Sequence, residues 1–250
     1  FSFGLGHAVV AYNRRAVYAD GKAVMYGKTN DPNFRAIEGM EDHDVNTLFF
    51  WDNSGKLIAM TIDVPCPAQE VEHRLAINAD YWHPVREKLK QRFGPDLCVL
   101  GWIGAAGDQS PRPMYRKEAE ERMIRLRNLN RLEEIARRIV MAVEESYETV
   151  KDDRYTNVQL IHKVETLSLP MRLITEQEYL FCKGERDAAA AEMAADSSTA
   201  SEVLARMTWN RDVVYRYENQ KKNPNPKLDI EIHVLRLGDV AICTNEFELF

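Results

Sequence analysis

The chain has 250 residues, of which 45% are hydrophobic and 29% are charged, and its formal net charge is −6. This composition suits one large domain or two small ones with a sizeable core, and the negative charge argues against a nucleic-acid partner, which needs clustered Lys and Arg. Because no run of about 18 apolar residues occurs, no transmembrane segment is predicted. The chain starts at Phe1 without a methionine and stops within a strand-like pattern, so we expect a fragment truncated at both ends.

The first clear element is a β-hairpin. Residues 44–51 and 56–64, which are rich in apolar, β-branched and aromatic residues, predict two strands, and the turn 52–55 between them has the sequence Asp-Asn-Ser-Gly. Prolines on both sides of Cys66 are expected to end the second strand.

A short apolar strand leads into a glycine-rich loop. Residues 97–100 are all apolar and have turn signals on both sides, which is typical of a strand buried on both faces of a parallel sheet. A helix with Asn78 or Asp80 as its N-cap precedes this strand. The strand continues into the loop 104–111, Gly-Ala-Ala-Gly-Asp-Gln-Ser-Pro. Since ligands of open α/β sheets bind beyond the carboxyl ends of strands, we expect this loop to be functional.

Helices dominate the second half of the chain. The patterns predict an amphipathic helix at 129–150, a strand at 157–169, a helical stretch at 176–219 with breaks at Gly184 and 196–198, and a hairpin of 228–237 with 240–244. We therefore predict an α/β fold with a mixed, largely parallel central sheet flanked by helices, together with antiparallel hairpins. Residues 1–250 are expected to form a single catalytic domain, with 171–226 as a helical insertion or lid within it.

Ser110 is the first candidate for chemistry. A serine needs a base or a metal to become a nucleophile, and the glycines before it can direct backbone amides at a developing oxyanion. A Ser-Pro pair can also simply cap the next helix. The motif is not Gly-x-Ser-x-Gly, so the nucleophile elbow of lipases is excluded.

Cys66 is a second candidate, because Glu70, Glu72 and His73 follow it closely. These residues could ligate zinc, or Cys66 could be an apolar residue beside a proline turn. The six histidines form no His-x-His or His-Glu-x-x-His pair, so no complete histidine metal site is encoded here. Cys98 and Cys243 lie in apolar strand patterns and are expected to be core thiols.

The C-terminal residues place carboxylates between aromatic side chains. One of Glu246 and Glu248 should point inward if this segment leaves a strand. Burying a carboxylate is costly unless it is paired or bound to a metal, which favours a functional role for one of them.

Four segments together resemble the N-terminal catalytic domain of the neutral/alkaline non-lysosomal ceramidases, as a divergent bacterial-type member. The most specific is the run 107–111, Gly-Asp-Gln-Ser-Pro, which is similar to the family's Gly-Asp-x-Ser-Pro loop. The other three are Asn13-Arg14-Arg15 for the family's Asn-Arg-Ser-Pro, Cys66-Pro67 with Asn78-Ala79-Asp80 for its histidine and aspartate, and Asn245-Glu246-Phe247-Glu248 for its glutamate segment. Their order and rough spacing hold along nearly all of the chain.

The resemblance implies hydrolysis of the amide of N-acylsphingosine at one zinc ion. Carried onto this sequence, Ser110 would be the nucleophile, Arg14 would polarise the carbonyl or bind the oxyanion, and Asp80 would order the nearby loop. Glu248 and Cys66 would be zinc ligands, although Cys66 replaces a family histidine, so the site is either altered or empty. The second histidine and the tyrosine of the family site would lie outside this chain. A lipid amide or other small-molecule substrate and a secreted or periplasmic location are implied in the same way.

These observations leave three hypotheses open. The first is a zinc-dependent amidase with Ser110 at its centre. The second is a catalytically inactive, ligand-binding member of the family that has lost its zinc site. The third is a serine hydrolase that works without a metal.

Overall fold

The computed structural model describes residues 1–74, 76–195 and 200–249. The chain divides into two compact units, of which the first contains Phe1–Gln159 and the C-terminal residues from Phe247, and the second contains Leu160–Glu246. No described helix is long and apolar enough to cross a membrane.

The first unit contains nine strands and three α-helices among its described residues. The strands are Ser2–His7 (β1), Tyr12–Asn13 (β2), Arg15–Tyr18 (β3), Ala23–Met25 (β4), Phe34–Ile37 (β5), Asp44–Trp51 (β6), Leu57–Val64 (β7), Cys98–Ile103 (β8) and Gln109–Ser110 (β9). The helices are Trp82–Phe93 (α1), Lys117–Leu126 (α2) and Arg131–Val150 (α3), and a short 3₁₀ turn covers Glu72–Arg74.

The central sheet of this unit has the order β1-β6-β7-β8. The predicted hairpin is confirmed as β6 and β7, and Gly55 takes a φ of 83° in its turn, a conformation that glycine adopts without strain. Helix α1 connects β7 to β8, and these two strands pair in parallel. The predicted mixed α/β class with antiparallel hairpins is therefore confirmed.

The pairing within this sheet is nevertheless mainly antiparallel, because β1–β6 and β6–β7 are both antiparallel pairs. The expectation of a largely parallel sheet came from reading 97–100 as buried on both faces. In the structure only alternate residues of that run are buried: Leu97 and Val99 are inside, whereas Cys98 and Leu100 are exposed. The prediction that Cys98 is a core thiol is therefore wrong.

Helix α3 covers the sheet and completes the core. Its N-terminus is closed by a capping box, in which Asn130 accepts from the Glu133 amide and Glu133 accepts from the Asn130 amide. The helix lies against β1 so closely that a methyl group at Gly6 would overlap the backbone of Ala142. The core behind it consists mainly of Val, Ile, Leu, Ala and aromatic side chains from the sheet, α1 and α3.

Glu134 is a buried carboxylate on the inner part of α3. Its side chain is 1% exposed and accepts hydrogen bonds from Arg127, Arg137 and Arg138. Arg138 also donates to the Val9 carbonyl and to the Tyr12 hydroxyl, over 2.7 and 3.2 Å. This network joins α3 to the segment that contains β2.

The second unit combines a helical pair with an antiparallel sheet. Its elements are Leu160–Pro170 (β10), Glu176–Ala195 (α4), Ala200–Lys222 (α5), Lys227–Leu237 (β11) and Val240–Cys243 (β12), and the sheet order is β10-β11-β12. Rings of Tyr179 and Tyr217 stack between the two helices with centroids 4.3 Å apart. The helical character predicted for this region and the hairpin of β11 with β12 are both confirmed.

Two expectations for the second unit are wrong. Gly184 lies inside α4 and does not interrupt it, because a single glycine weakens a helix by only about 1 kcal/mol. Cys243 is exposed rather than a core thiol, since it lies at the end of the short strand β12. The break predicted at 196–198 lies outside the described residues, and the role of 171–226 as an insertion or lid stays a prediction.

Candidate active site

Pairing of two very short strands brings together the two segments that carry the most specific motifs. Strand β2 pairs antiparallel with β9, so that Tyr12 is opposite Ser110 and Asn13 is opposite Gln109. The Arg14 amide extends this pairing by donating to the Asp108 carbonyl over 2.8 Å. Arg14 and Ser110 are therefore neighbours in space, although 95 residues separate them in the chain.

The Asn13 and Asp108 side chains fix the position of this pairing. Asn13 Nδ2 donates to Asp108 Oδ2 over 2.6 Å, and the amide of the Gln109 side chain donates to Asp108 Oδ1 over 2.8 Å. The chain crosses above them at Gly39, where a Cβ atom would come within 2.7 Å of Asn13 Nδ2 and 3.1 Å of Asp108 Oδ2. A glycine is needed at that crossing because the backbone must pass so close to both side chains.

Arg14 presents a buried guanidinium group at this site. The residue is 8% exposed, and its Nη2 donates to the Gly107 carbonyl over 2.8 Å. Its Nη1 makes a long hydrogen bond of 3.5 Å to the Tyr26 hydroxyl, and its Nε has no hydrogen-bond partner within the described part of the chain. A buried donor without a partner costs free energy, so this cation is well suited to bind an oxyanion or a polarised carbonyl.

Ser110 has no exposed surface. Its Oγ accepts one hydrogen bond from the Tyr26 hydroxyl, over 3.3 Å, and another from the Arg112 amide, over 3.1 Å. Both of these partners are polar groups of the candidate site. Both acceptor positions of the hydroxyl are occupied, and a lone pair of Oγ becomes available to a substrate carbonyl when the hydrogen bond to Tyr26 reverses so that Oγ donates.

Tyr26 was not singled out from the sequence. It follows the short strand β4, is 43% exposed and has a φ of 54°, which is unusual for a bulky residue. Its contact with Ser110 joins residues 84 positions apart, and no motif or spacing predicts such a contact. The available signal was indirect: a tyrosine followed by Gly27 at the end of a possible strand.

Glu248 lies beside Arg14 in the first unit. Its Oε2 is 4.0 Å from Arg14 Nη2, and its side chain is 81% exposed. The next residue holds the segment in place, because the Leu249 carbonyl accepts from the Gly107 amide over 2.9 Å. The prediction that one of Glu246 and Glu248 points inward is wrong, since both residues are exposed. The exposed Glu248 carboxylate instead lies beside the buried Arg14 guanidinium.

Asp80 orders the loop that precedes α1. Its Oδ2 accepts from the Val71 amide and its Oδ1 from the Tyr81 amide, both over 2.8 Å, and the residue takes a φ of 49°. The helix itself begins after Tyr81 without a side-chain cap, so the expectation that Asp80 or Asn78 caps it is wrong. The Asp80 carboxylate is used instead to hold the loop through these two amides.

Cys66 is placed in the core of the first unit. Its Sγ donates to the Val10 carbonyl over 3.4 Å, and burial raises the pKa of the thiol far above its usual value. Tyr81 contacts the same turn by donating to the Cys66 carbonyl over 2.5 Å. Within the described residues, the Cys66 thiol is hydrogen-bonded to the chain near β2, and no hydrogen bond joins Cys66 to Ser110 or Glu248.

These observations do not fit the expected zinc ligands of this chain. Cys66 is 1% exposed and lies within the core of the first unit, where its thiol donates a hydrogen bond to the Val10 carbonyl. Across residues 1–74, 76–195 and 200–249, no group of three or more His, Cys, Asp or Glu residues is arranged to hold a metal ion. Cys66 is therefore best described as a core residue.

Comparisons with known proteins give low-identity likenesses to ceramidases. No protein-family model matches the chain, and no curated protein matches it either. Among solved structures it is similar to a ceramidase complexed with C2, with 15% identity over 68% of this chain and a TM-score of 0.45. It is also similar to the neutral ceramidase from Pseudomonas aeruginosa, with 12% identity over 96% of this chain and a TM-score of 0.48. The chain spans 25% and 39% of the lengths of those two proteins, respectively.

Proposed function

We propose that this chain carries the centre of a ceramidase-like amide hydrolase, in which Ser110 is the nucleophile and Arg14 binds the carbonyl oxygen. The observation that carries the proposal is the buried Arg14 guanidinium, which is joined to Ser110 through Tyr26 and has an Nε without a partner among the described residues. The resemblance of the segments around Arg14 and Ser110 to the ceramidase motifs supports the same assignment.

The chemistry follows from these two groups. Attack of Ser110 Oγ on an amide carbonyl carbon moves a pair of electrons onto the carbonyl oxygen. A guanidinium shielded from water stabilises that developing negative charge more strongly than an exposed one, because the local dielectric constant is low. Removing a single donor of this kind typically lowers kcat by about 10²–10³-fold.

The substrate class comes from the resemblance. On that basis, the proposed substrate is a lipid amide or another small molecule with an amide bond. Asp80 contributes by holding the loop before α1 rather than by contacting the reacting atoms, since its carboxylate is used by the Val71 and Tyr81 amides.

Zinc dependence stays a prediction, and no step above uses a metal. Glu248 remains a candidate ligand because its carboxylate is exposed beside Arg14, whereas the Cys66 thiol does not suit the role. Metal analysis of the active protein tests this point: one zinc per chain, lost together with activity on chelation, is the expected result for a zinc enzyme. Full activity with less than one zinc per chain would exclude it and favour the metal-free serine hydrolase.

A second candidate function is ligand binding without catalysis. The observation that favours it is the complete burial of Ser110, whose Oγ already accepts from Tyr26 and from the Arg112 amide. In that case Arg14 would hold an anionic or carbonyl group of a ligand that is never cleaved.

Substitution of Ser110 by Ala separates the two functions. For the hydrolase, we expect hydrolysis of an N-acyl amide to fall by at least about 10³-fold, while an otherwise identical Ser168→Ala protein keeps its activity. Ser168 is a suitable control because it is an exposed serine on β10. A binding protein would show no hydrolysis in the unmodified chain, and its affinity for the amide would survive the Ser110 substitution.

A further inference from the structure

Tyr26 has an unusual backbone conformation at the candidate site. Its φ of 54° lies in the left-handed region, where a bulky residue is strained by about 1–3 kcal/mol. The conformation is held by the Tyr26 amide, which donates to the Arg14 carbonyl over 2.7 Å. Strain of this kind is retained only when the surrounding structure fixes it. The fixed backbone conformation of Tyr26 directs its phenol ring at the Arg14 and Ser110 side chains.

The Tyr26 hydroxyl connects the two proposed reactive groups. Arg14 Nη1 donates to it over 3.5 Å, and the hydroxyl donates to Ser110 Oγ over 3.3 Å, while the Arg14 guanidinium carbon is 5.8 Å from the centre of the ring. Hydroxyl hydrogens rotate freely, so this contact can carry a proton in either direction. Its length is ordinary for an unliganded site, where such hydrogen bonds tighten only when the substrate is bound.

Ser110 lacks the base that usually activates a serine. Within the described residues, its Oγ makes hydrogen bonds to the Tyr26 hydroxyl and to the Arg112 amide, and to no His, Asp or Glu side chain. A backbone amide can donate a hydrogen bond but cannot accept a proton. Tyr26 is therefore the side chain in contact with Oγ that can both accept and release one.

We infer that Tyr26 is a catalytic residue whose hydroxyl relays the proton of Ser110 to the leaving nitrogen of the amide. This inference rests on the proposed hydrolase function. As Oγ bonds to the carbonyl carbon, its proton passes to the Tyr26 oxygen, and the proton that Tyr26 held passes to the amide nitrogen. The C–N bond then breaks, the amine leaves with the relayed proton, and the acyl group remains on Ser110.

The same relay, run in reverse with water, releases the acyl group. Water attacks the ester carbonyl and gives a proton to the Tyr26 oxygen, while the proton of Tyr26 returns to Ser110 Oγ as the C–Oγ bond breaks. Amide and water are consumed and acid and amine are formed, so Tyr26 and Ser110 both end in their starting forms. No oxidant, reductant or further reactant is required.

Tyr26→Phe tests the relay because it removes one oxygen atom and keeps the ring. The matched control is Tyr18→Phe: Tyr18 lies on β3, which pairs with β4, and its hydroxyl donates to the Lys28 carbonyl over 3.1 Å. Two substrates with the same acyl group are compared, an alkylamide and a 4-nitrophenyl ester. The alkylamine must be protonated in order to leave, whereas nitrophenolate leaves without a proton.

The relay predicts a specific split between the two substrates. Tyr26→Phe should slow acylation of Ser110 by the amide, measured as single-turnover release of the amine, by about 10²–10⁴-fold. It should slow acylation by the ester, measured as the burst of nitrophenolate, by at least about tenfold less, because only the amide needs a protonated leaving group. Steady-state turnover of both substrates should fall, because release of the acyl group uses the same relay. Tyr18→Phe should leave both reactions within about twofold of the unmodified protein. Equal losses in the two acylation rates, or an undiminished acylation rate with the amide, would overturn the relay.

Ser110→Ala in the same assay distinguishes failure of the relay from failure of the proposed function. If Ser110→Ala leaves hydrolysis unchanged, both the function and the relay are wrong. If Ser110→Ala abolishes hydrolysis of both substrates and Tyr26→Phe slows the two acylation steps equally, the hydrolase assignment stands and the relay alone is refuted. Should Tyr26→Phe fail to fold, Tyr26→Ala with added phenol replaces it: restored amide turnover supports the relay, and no restoration refutes it.

Discussion

Replacing Glu134 with Gln should destabilise the first unit by about 2–4 kcal/mol near neutral pH. Glu134 is almost fully buried and accepts hydrogen bonds from three arginines. Glutamine keeps the shape but removes the negative charge, so these arginines lose the group that neutralises them. The effect should reach the candidate site, because Arg138 also holds the Val9 carbonyl and the Tyr12 hydroxyl, and Tyr12 pairs with Ser110.

The magnitude can be worked out from the ionisation of the carboxyl group. Hydrogen bonds, first from Arg137 and then from Arg138, outweigh burial and lower the pKa of Glu134 from 4.5 to about 2. That difference corresponds to roughly 3 kcal/mol of stabilisation. Because the folded pKa is the lower one, the stabilisation is fully present above pH 4.5 and is lost as the pH falls through about 2.

Urea unfolding followed by tryptophan fluorescence measures this effect. The assay reports mainly on the first unit, because it contains three of the four tryptophans, namely Trp51, Trp82 and Trp102. Glu145→Gln is the control, since Glu145 is an exposed carboxylate on the same helix, and it should change the free energy of unfolding by less than about 0.5 kcal/mol.

The difference between Glu134→Gln and the unmodified chain should be largest at about pH 7 and should shrink as the pH approaches about 3. A Glu134→Gln protein within about 0.5 kcal/mol of the unmodified chain at neutral pH would refute the reasoning. So would a difference that stays constant between the two pH values, because the loss would then not arise from the charge of Glu134.

Two further predictions concern the core of the first unit. The Cys66 thiol should react with an aromatic disulfide reagent only after unfolding, because burial raises its pKa. The exposed Cys98 thiol should react in the native protein. Mass spectrometry assigns the two reactions, and equal rates for the two thiols would contradict the burial of Cys66. Gly6→Ala should destabilise the chain by about 1–3 kcal/mol, because the added methyl group overlaps the backbone of Ala142. An unchanged midpoint of urea unfolding would mean that β1 and α3 are farther apart than described.

Elements with strong local signals could be predicted from the sequence. The hairpin of β6 and β7 was found because two apolar, strand-forming segments flank an Asp-Asn-Ser-Gly turn, and α3 was found from its regular apolar spacing. In each case the information lies within about 20 consecutive residues, where periodicity decides the structure.

The run 97–100 shows where local patterns fail. All four residues are apolar, so nothing in the sequence distinguishes the buried Leu97 and Val99 from the exposed Cys98 and Leu100. Their burial depends on which strands and helices surround β8, and that is a property of the whole fold. The buried Glu134 was missed for a related reason, since a Glu-Arg-Arg pattern on a helix is equally typical of a solvated face.

The candidate site was predictable only in part. Resemblance drew attention to Arg14 and Ser110, and the structure brings these two residues together through β2 and β9. Tyr26 was missed because it contacts Ser110 from the residue that follows β4, a segment with no recognisable motif. Cys66 was assigned to zinc by its position in the chain, yet the structure uses it as a core thiol.

The pairing of Arg14 with Ser110 as one reactive centre is tested most directly by the rate at which a small fluorophosphonate modifies the protein. Intact-mass measurement should detect a single adduct, and peptide mapping should locate it on the peptide that contains Ser110. Arg14→Met should slow formation of this adduct by about 10²-fold, because the phosphonyl oxygen loses the cation that stabilises its charge. An adduct at another residue, or an equal rate in the Arg14→Met protein, would contradict the account.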